Sequence, residues 1–222
     1  LSVAAALGWA TGLSVIALAA AFALQPRFGV AAAAYLALFV LYTRALKHLV
    51  ILDVMTIAVG FVLRAEAGGL AIGVPISQWL LVCTILLALF LGLAKRRHEL
   101  TMLTDGASGH RPILEEYDPY LLDQMIGVVA ATTLMAYIIY CASPETAERF
   151  GTRLLVLTTP FPIYGLFRYL YLVHRKQGGG SPSDMLLRDR PLLSCVALWG
   201  LTVVAIIYRP FAVARAADIP PL

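Results

Sequence analysis

The feature that most constrains this chain is a series of apolar runs near membrane-spanning length, separated by short polar breaks. Roughly 20 apolar residues in a helix match the ~30 Å hydrocarbon core of a bilayer, since each residue rises about 1.5 Å. Lipid offers the backbone no hydrogen-bond partner, so an open chain crosses it as helix. The period-2 alternation of a membrane β-barrel is absent. Seven spanning helices are predicted, at about 1–24, 28–46, 50–66, 77–94, 122–142, 153–173 and 191–208. Composition agrees. Of 222 residues, 60% are hydrophobic and 14% charged, against about 25% charged in a soluble domain. The expected fold is an all-α polytopic transmembrane helical bundle, forming one integral membrane domain over 1–222. The first run has no initiator Met and no basic stretch before it, and it exceeds a signal-peptide core. It reads as a spanning helix with something missing upstream.

The breaks differ in charge. Those at 25–27, 67–76 and 143–152 are short or nearly neutral, with a tight turn at Gln25-Pro26-Arg27 and a break at Gly68-Gly69 and Pro75. The alternate breaks are basic: Arg44 and Lys47; Lys95, Arg96, Arg97 and Arg111; Arg175, Lys176, Arg188 and Arg190. The excess of Lys and Arg assigns this second set to the cytoplasm. Seven spans then leave the C-terminus outside, mildly opposed by Arg209 and Arg215. "GGGSPSD" (178–184) reads as a flexible stretch. Trp79, Tyr117, Tyr120, Tyr140 and Trp199 read as an interfacial aromatic belt. Cys83, Cys141 and Cys195 each lie in an apolar run and read as small buried hydrophobes, with no disulfide framework or zinc spacing.

Three charged clusters fall on the basic side, where a bundle would gather them around one mouth. In the first, Tyr42 to Asp53, Lys47 is either a lysine snorkelling to the interface or a phosphate ligand. Asp53 opens an otherwise apolar stretch, where an acid is costly and calls for a partner or a function. Farther along, Arg64 and Glu66 form either an ion pair at the outer interface or a polar cavity lining. In the second cluster, "KRRHEL", Lys95 and Glu99 stand at i, i+4 and Arg96 and Glu99 at i, i+3, so the three share one helical face. Arg97 points elsewhere and reads as a topology signal. Scattered cations suffice for topology; cations mixed with an acid, followed by His110-Arg111, also suit phosphate binding. Residue types leave the two readings open. The third cluster mixes Arg168, Tyr169 and Tyr171 with His174, Arg175 and Lys176, and Arg168 is its best site candidate. The chain has no Walker loop, no HExxH, no GxSxG and no DxxxD pair.

The segments "YTRALKHLVILDVMTIAVGFVLRAEAGG", "LLALFLGLAKRRHEL", "HRPILEEYDPYLLDQM" and "PFPIYGLFRYLYLVHRKQGGGSPSDMLLRDRPLL" span Tyr42 to Leu193. In these the chain resembles the UbiA superfamily of intramembrane prenyltransferases, and within it the branch that transfers phosphoribose to a polyprenyl phosphate. GFVLRA and KRRxEL are specific together and weak alone. The resemblance implies nine helices, of which seven are present, and an NDxxD-type acidic motif after the second helix, which this chain lacks. It implies Mg²⁺ as cofactor, with phosphoribosyl pyrophosphate and polyprenyl (decaprenyl) phosphate as substrates, for cell-wall arabinan precursors. Where many superfamily members carry DxxxD, this chain has Lys95 to Glu99. Bases there suit a donor with an additional phosphate and an acceptor that is itself a phosphate.

The resemblance assigns Lys95, Arg96 and Arg111 to the donor phosphates and Tyr42 and Lys47 to the diphosphate or lipid phosphate. Glu99 orients these bases or ligates Mg²⁺, Asp53 is a secondary candidate, and Arg168 completes the mouth. Without the acidic motif, the chain as it stands is expected to lack the main metal ligands, and with them activity is in doubt. Two other readings stay open: a UbiA-type enzyme attaching a prenyl chain to an aromatic or other polar acceptor, and a transporter or membrane scaffold with no enzymatic role. The bilayer is the expected partner, nucleic acid is not, and a homo-oligomer is open.

Overall fold

The computed structural model describes residues 2–104, 116–175 and 182–217. Among these are nine α-helices and no strand: α1 Val3–Leu24, α2 Pro26–Arg44, α3 Leu52–Ile72, α4 Gln78–Thr104, α5 Pro119–Ala142, α6 Pro144–Phe150, α7 Pro160–Arg175, α8 Pro182–Arg188 and α9 Arg190–Ala217. Six of them, α1 to α5 and α9, contain stretches long and apolar enough to cross a membrane. The chain is an all-α, multi-pass helical membrane protein.

Local chemistry sets the helix starts. Pro26, Pro119 and Pro144 stand in the first turns of α2, α5 and α6, where a missing N–H costs nothing. Asp118 caps α5 by accepting from the backbone N–H of Tyr120 and Leu121. Asp189 does the same for α9 at Leu192, 2.9 Å away. Inside the spans, Thr11, Thr56, Thr84, Thr133 and Thr202 each donate to the carbonyl four residues back. Each hydroxyl thereby satisfies itself without meeting lipid.

Five sequence expectations change. The third helix does not stop at Gly68-Gly69; it runs to Ile72 and ends on Gly73 in the left-handed region (φ 68°). Gly69 is needed for close approach instead, since a Cβ there would lie 2.7 Å from the Val74 carbonyl oxygen and 2.6 Å from Ile76. The fourth helix continues through the charge row to Thr104 rather than ending near 94. The predicted helix 153–173 is divided: a 3-10 segment Leu154–Thr158 precedes α7, which at 16 residues and about 24 Å is shorter than a hydrocarbon core. Finally, the connection 143–152 contains α6, and Pro182 to Asp184 open α8 rather than lie in a flexible stretch, while 178–181 fall outside the described residues.

The chain forms two compact units, 1–89 and 90–222, divided within α4. In the first, α1 packs on α2 and α2 on α3. The short connection through Gln25 makes α1 and α2 neighbours, with Ala21 and Gly29 buried between exposed apolar faces. In the second, α5, α7 and α9 pack together with the 3-10 segment, and Leu122, Ile126, Leu155 and Val173 are buried. A polar chain crosses this unit. Trp199 Nε1 donates to the Tyr137 hydroxyl at 2.7 Å, and that hydroxyl lies 2.7 Å from Thr158 Oγ1. Thr158 gives its own hydrogen to the Leu155 carbonyl at 2.6 Å, so Tyr137 is the donor to Thr158. Trp199 is half-buried and bonded to Tyr137, and Tyr117, read as a belt residue, is buried. Cys141 and Cys195 are buried free thiols, as expected, and Cys83 is half-buried.

Candidate functional site

In the first unit the 3-10 turn Leu46–His48 follows α2 and carries Lys47, half-buried. Tyr42 is half-buried on the last turns of α2. The chain enters α3 through a tight turn at Ile51, whose φ of 68° and ψ of −45° are accompanied by a 2.8 Å bond from Leu52 N to the Val50 carbonyl. That is a γ-turn, a strained geometry for a β-branched residue. It delivers Asp53 to the first turn of α3, where the helix N-terminus favours a negative charge, and Asp53 is 1% exposed. Arg64 does not pair with Glu66. Its guanidinium carbon instead lies 4.2 Å from the Phe61 ring centroid and 5.5 Å from that of Tyr35.

In the second unit α4 presents the charge row as continuous helix. The three residues expected on one face behave differently. Arg96 is 2% exposed and is held by Glu99 through an Nη1–Oε2 bond of 2.8 Å. Lys95 is exposed and leaves Glu99 to Arg96. Arg97, expected to be a topology signal, forms a two-pronged ion pair with Asp123 of α5, through Nε to Oδ1 and Nη2 to Oδ2. Asp123 also meets His174 Nε2 of α7 at 3.2 Å. This junction joins the second cluster to the third. Arg168 of α7 makes a second two-pronged pair, with Asp189 at 3.1 and 2.8 Å, and its guanidinium lies 5.2 Å from the Tyr171 ring. Arg111 lies outside the described residues.

Two carboxylates in this arrangement, Asp123 and Asp189, were not singled out from the sequence. Both carry a signal of the kind used for Asp53. Asp123 is a lone acid in an apolar run, and Asp189 precedes Pro191 at a helix start. Three arginines are thus each fixed by a carboxylate. Pre-oriented planar guanidinium groups suit oxyanions such as phosphates, whose paired oxygens they bind bidentately, because little side-chain freedom is left to lose on binding.

The described residues do not by themselves fit a Mg²⁺ site. Mg²⁺ asks for several oxygen ligands in octahedral array. No group of three or more His, Cys, Asp or Glu side chains gathers among the described residues, and Glu99 is engaged by Arg96.

No family model matches the chain. Curated relatives do. It is 30% identical over 205 residues to decaprenyl-phosphate phosphoribosyltransferase of Mycolicibacterium smegmatis, covering 88% of this chain and 63% of that protein. It is 30% identical over 208 residues to the enzyme of that name from Corynebacterium glutamicum, covering 90% and 62%. Against the Mycobacterium tuberculosis protein it is 30% identical over 195 residues, covering 87% and 63%. The chain is a homologue of these phosphoribosyltransferases. It spans somewhat under two thirds of their length, so the homology covers most of this chain and part of each relative.

Proposed function

We propose that the protein carrying this chain is a UbiA-type helical bundle that transfers 5-phosphoribose from phosphoribosyl pyrophosphate to a polyprenyl phosphate such as decaprenyl phosphate. The product would serve cell-wall arabinan synthesis. The observation that carries this is the set of carboxylate-held arginines, Arg96, Arg97 and Arg168, in one unit of a chain homologous to decaprenyl-phosphate phosphoribosyltransferases. The reacting side is the basic side, which positive-inside asymmetry assigns to the cytoplasm.

Three phosphate-bearing groups must meet: the 5-phosphate, the diphosphate and the lipid phosphate. Their mutual repulsion demands fixed cations. In this reading Arg96, oriented by Glu99, the open Lys95 and Arg111 take donor phosphates. Tyr42 and Lys47 take the diphosphate or lipid phosphate, and Asp53 orders the α3 entrance. Arg168, locked on Asp189, and Arg97, locked on Asp123, act as positioning residues. The C1–oxygen bond to diphosphate breaks with oxocarbenium character on the ribose, the electron pair leaving with the diphosphate. An oxygen of the lipid phosphate, already anionic, bonds to C1 without a general base. Mg²⁺ belongs to this reading as a companion of the donor's diphosphate.

The test uses membranes carrying the full-length protein, supplied with labelled phosphoribosyl pyrophosphate and polyprenyl phosphate. Label is expected in the lipid extract, with Arg96→Glu lowering it at least tenfold and Arg96→Lys less. Transfer from labelled prenyl diphosphate to an aromatic acceptor, with none from phosphoribosyl pyrophosphate, would replace this reading with the prenyltransferase one. Wild-type turnover in Arg96→Glu would remove Arg96 from the site.

A further inference from the structure

The first unit contains a groove unrelated to the arginine–carboxylate pairs. On α2, Tyr35, Phe39 and Tyr42 follow one another at helical spacing, and on α3 Thr56, Gly60 and Arg64 do the same. These two faces line a groove of about 160 Å³. Gly60 makes the room. A Cβ built there lies 3.5 Å from Tyr35 Cε2, an ordinary contact, so Ala is accommodated while a larger side chain enters the groove.

Arg64 stands at one end, exposed, between the rings of Tyr35 and Phe61. It has no carboxylate partner among the described residues. Glu66, two positions on, lies round the other side of the helix. An arginine in an apolar span is costly without a counter-charge, and ring faces provide only part of it. Its depth indicates where the counter-charge comes from. α3 has 21 residues and is about 31 Å long, and Arg64 sits about 12 Å from its Ile72 end, in the half away from Lys47 and Asp53. A side chain there reaches the headgroups on that side by snorkelling.

We propose that this groove binds an anionic phospholipid from the leaflet opposite the basic loops, with its phosphate on Arg64 and an acyl chain along Gly60 towards Tyr42. The lining matches such an amphiphile: one fixed cation at the headgroup end, then aromatic and aliphatic surface for about 12 Å, the helical rise between Thr56 and Arg64. Tyr42, at the far end of the groove, is the one lining residue shared with the proposed transfer site; the headgroup contact at Arg64 does not rest on the transfer reading.

The experiment is native mass spectrometry of the full-length protein in mild detergent, titrated with phosphatidylglycerol or phosphatidylcholine of matched chains. Wild type should hold phosphatidylglycerol about five- to tenfold more tightly, the scale of one near-surface cation acting on an anionic lipid. Arg64→Gln should abolish the preference and Arg64→Lys should keep most of it. Gly60→Leu should weaken both lipids while Gly60→Ala should not, with thermal unfolding establishing that each variant is folded. Equal binding of the two lipids by wild type, or a preference surviving Arg64→Gln, would overturn the proposal. So would binding of polyprenyl phosphate at this groove with phosphatidylglycerol unable to displace it.

Discussion

The junction of Arg97, Asp123 and His174 gives a prediction whose size can be worked from the geometry. Arg97 and Asp123 face each other with two parallel N–H···O bonds, and their side chains are 19% and 34% exposed. Two unit charges 4 Å apart attract by about 4 kcal/mol at the effective dielectric of a protein surface. Desolvation and the ordering of two side chains remove much of that, and exposed pairs measure at most about 1 kcal/mol, whereas breaking buried ones costs about 3–5 kcal/mol. A pair of intermediate exposure with two-pronged geometry should show a coupling of about 1–2 kcal/mol. The measurement is a double-mutant cycle of Arg97→Gln and Asp123→Asn in the full-length protein. Unfolding would be followed in mixed micelles by tryptophan fluorescence, for which Trp199 lies in the same unit. Each single variant should lower stability, and the double variant should lose less than their sum by the coupling energy. A coupling under about 0.3 kcal/mol, the usual error of additivity, would refute this account and return Arg97 to the role of a topology signal.

Other consequences follow from the same coordinates. Tyr137→Phe leaves Trp199 Nε1 and Thr158 without their shared partner; a loss of about 1–3 kcal/mol and a shifted Trp199 emission are expected, and an unchanged spectrum would contradict the polar chain. Ile51→Gly removes a β-branched residue from a γ-turn while giving up a side chain that is 42% exposed, so the unfolding midpoint should rise, by about 1 kcal/mol in free energy. Gly69→Ala forces the Val74 carbonyl and Ile76 outward and should cost about 1–3 kcal/mol by the same assay. Asp189→Ala removes the α9 cap, at about 1 kcal/mol, and Asp189→Asn, which can still accept from Leu192, should recover most of that cap term.

The sequence alone determined that this chain crosses a membrane repeatedly as helix. Lipid leaves the backbone no other solution, and run length measures the hydrocarbon thickness. It placed the starts of all six long spans within three residues. It also put Glu99 within reach of both Lys95 and Arg96, because i, i+3 and i, i+4 spacings are properties of one helix, and the structure pairs Glu99 with Arg96. Helix ends were less legible. Gly68-Gly69 looked like a break and is a packing contact, and the charge row looked like a terminus although Lys and Arg propagate a helix well.

Only the tertiary structure decided which carboxylates Arg97 and Arg168 meet. Arg97 and Asp123 are 26 residues apart and Arg168 and Asp189 are 21 apart, so no local period links them. Their pairing depends on how α4, α5, α7 and α9 are laid side by side. For the same reason Arg64, read as either half of an ion pair with Glu66 or a polar cavity lining, lines a groove and lies over aromatic rings, one of them on the neighbouring helix. Helical periodicity fixes which residues share a face; the partner of that face is set by packing between segments distant in the chain.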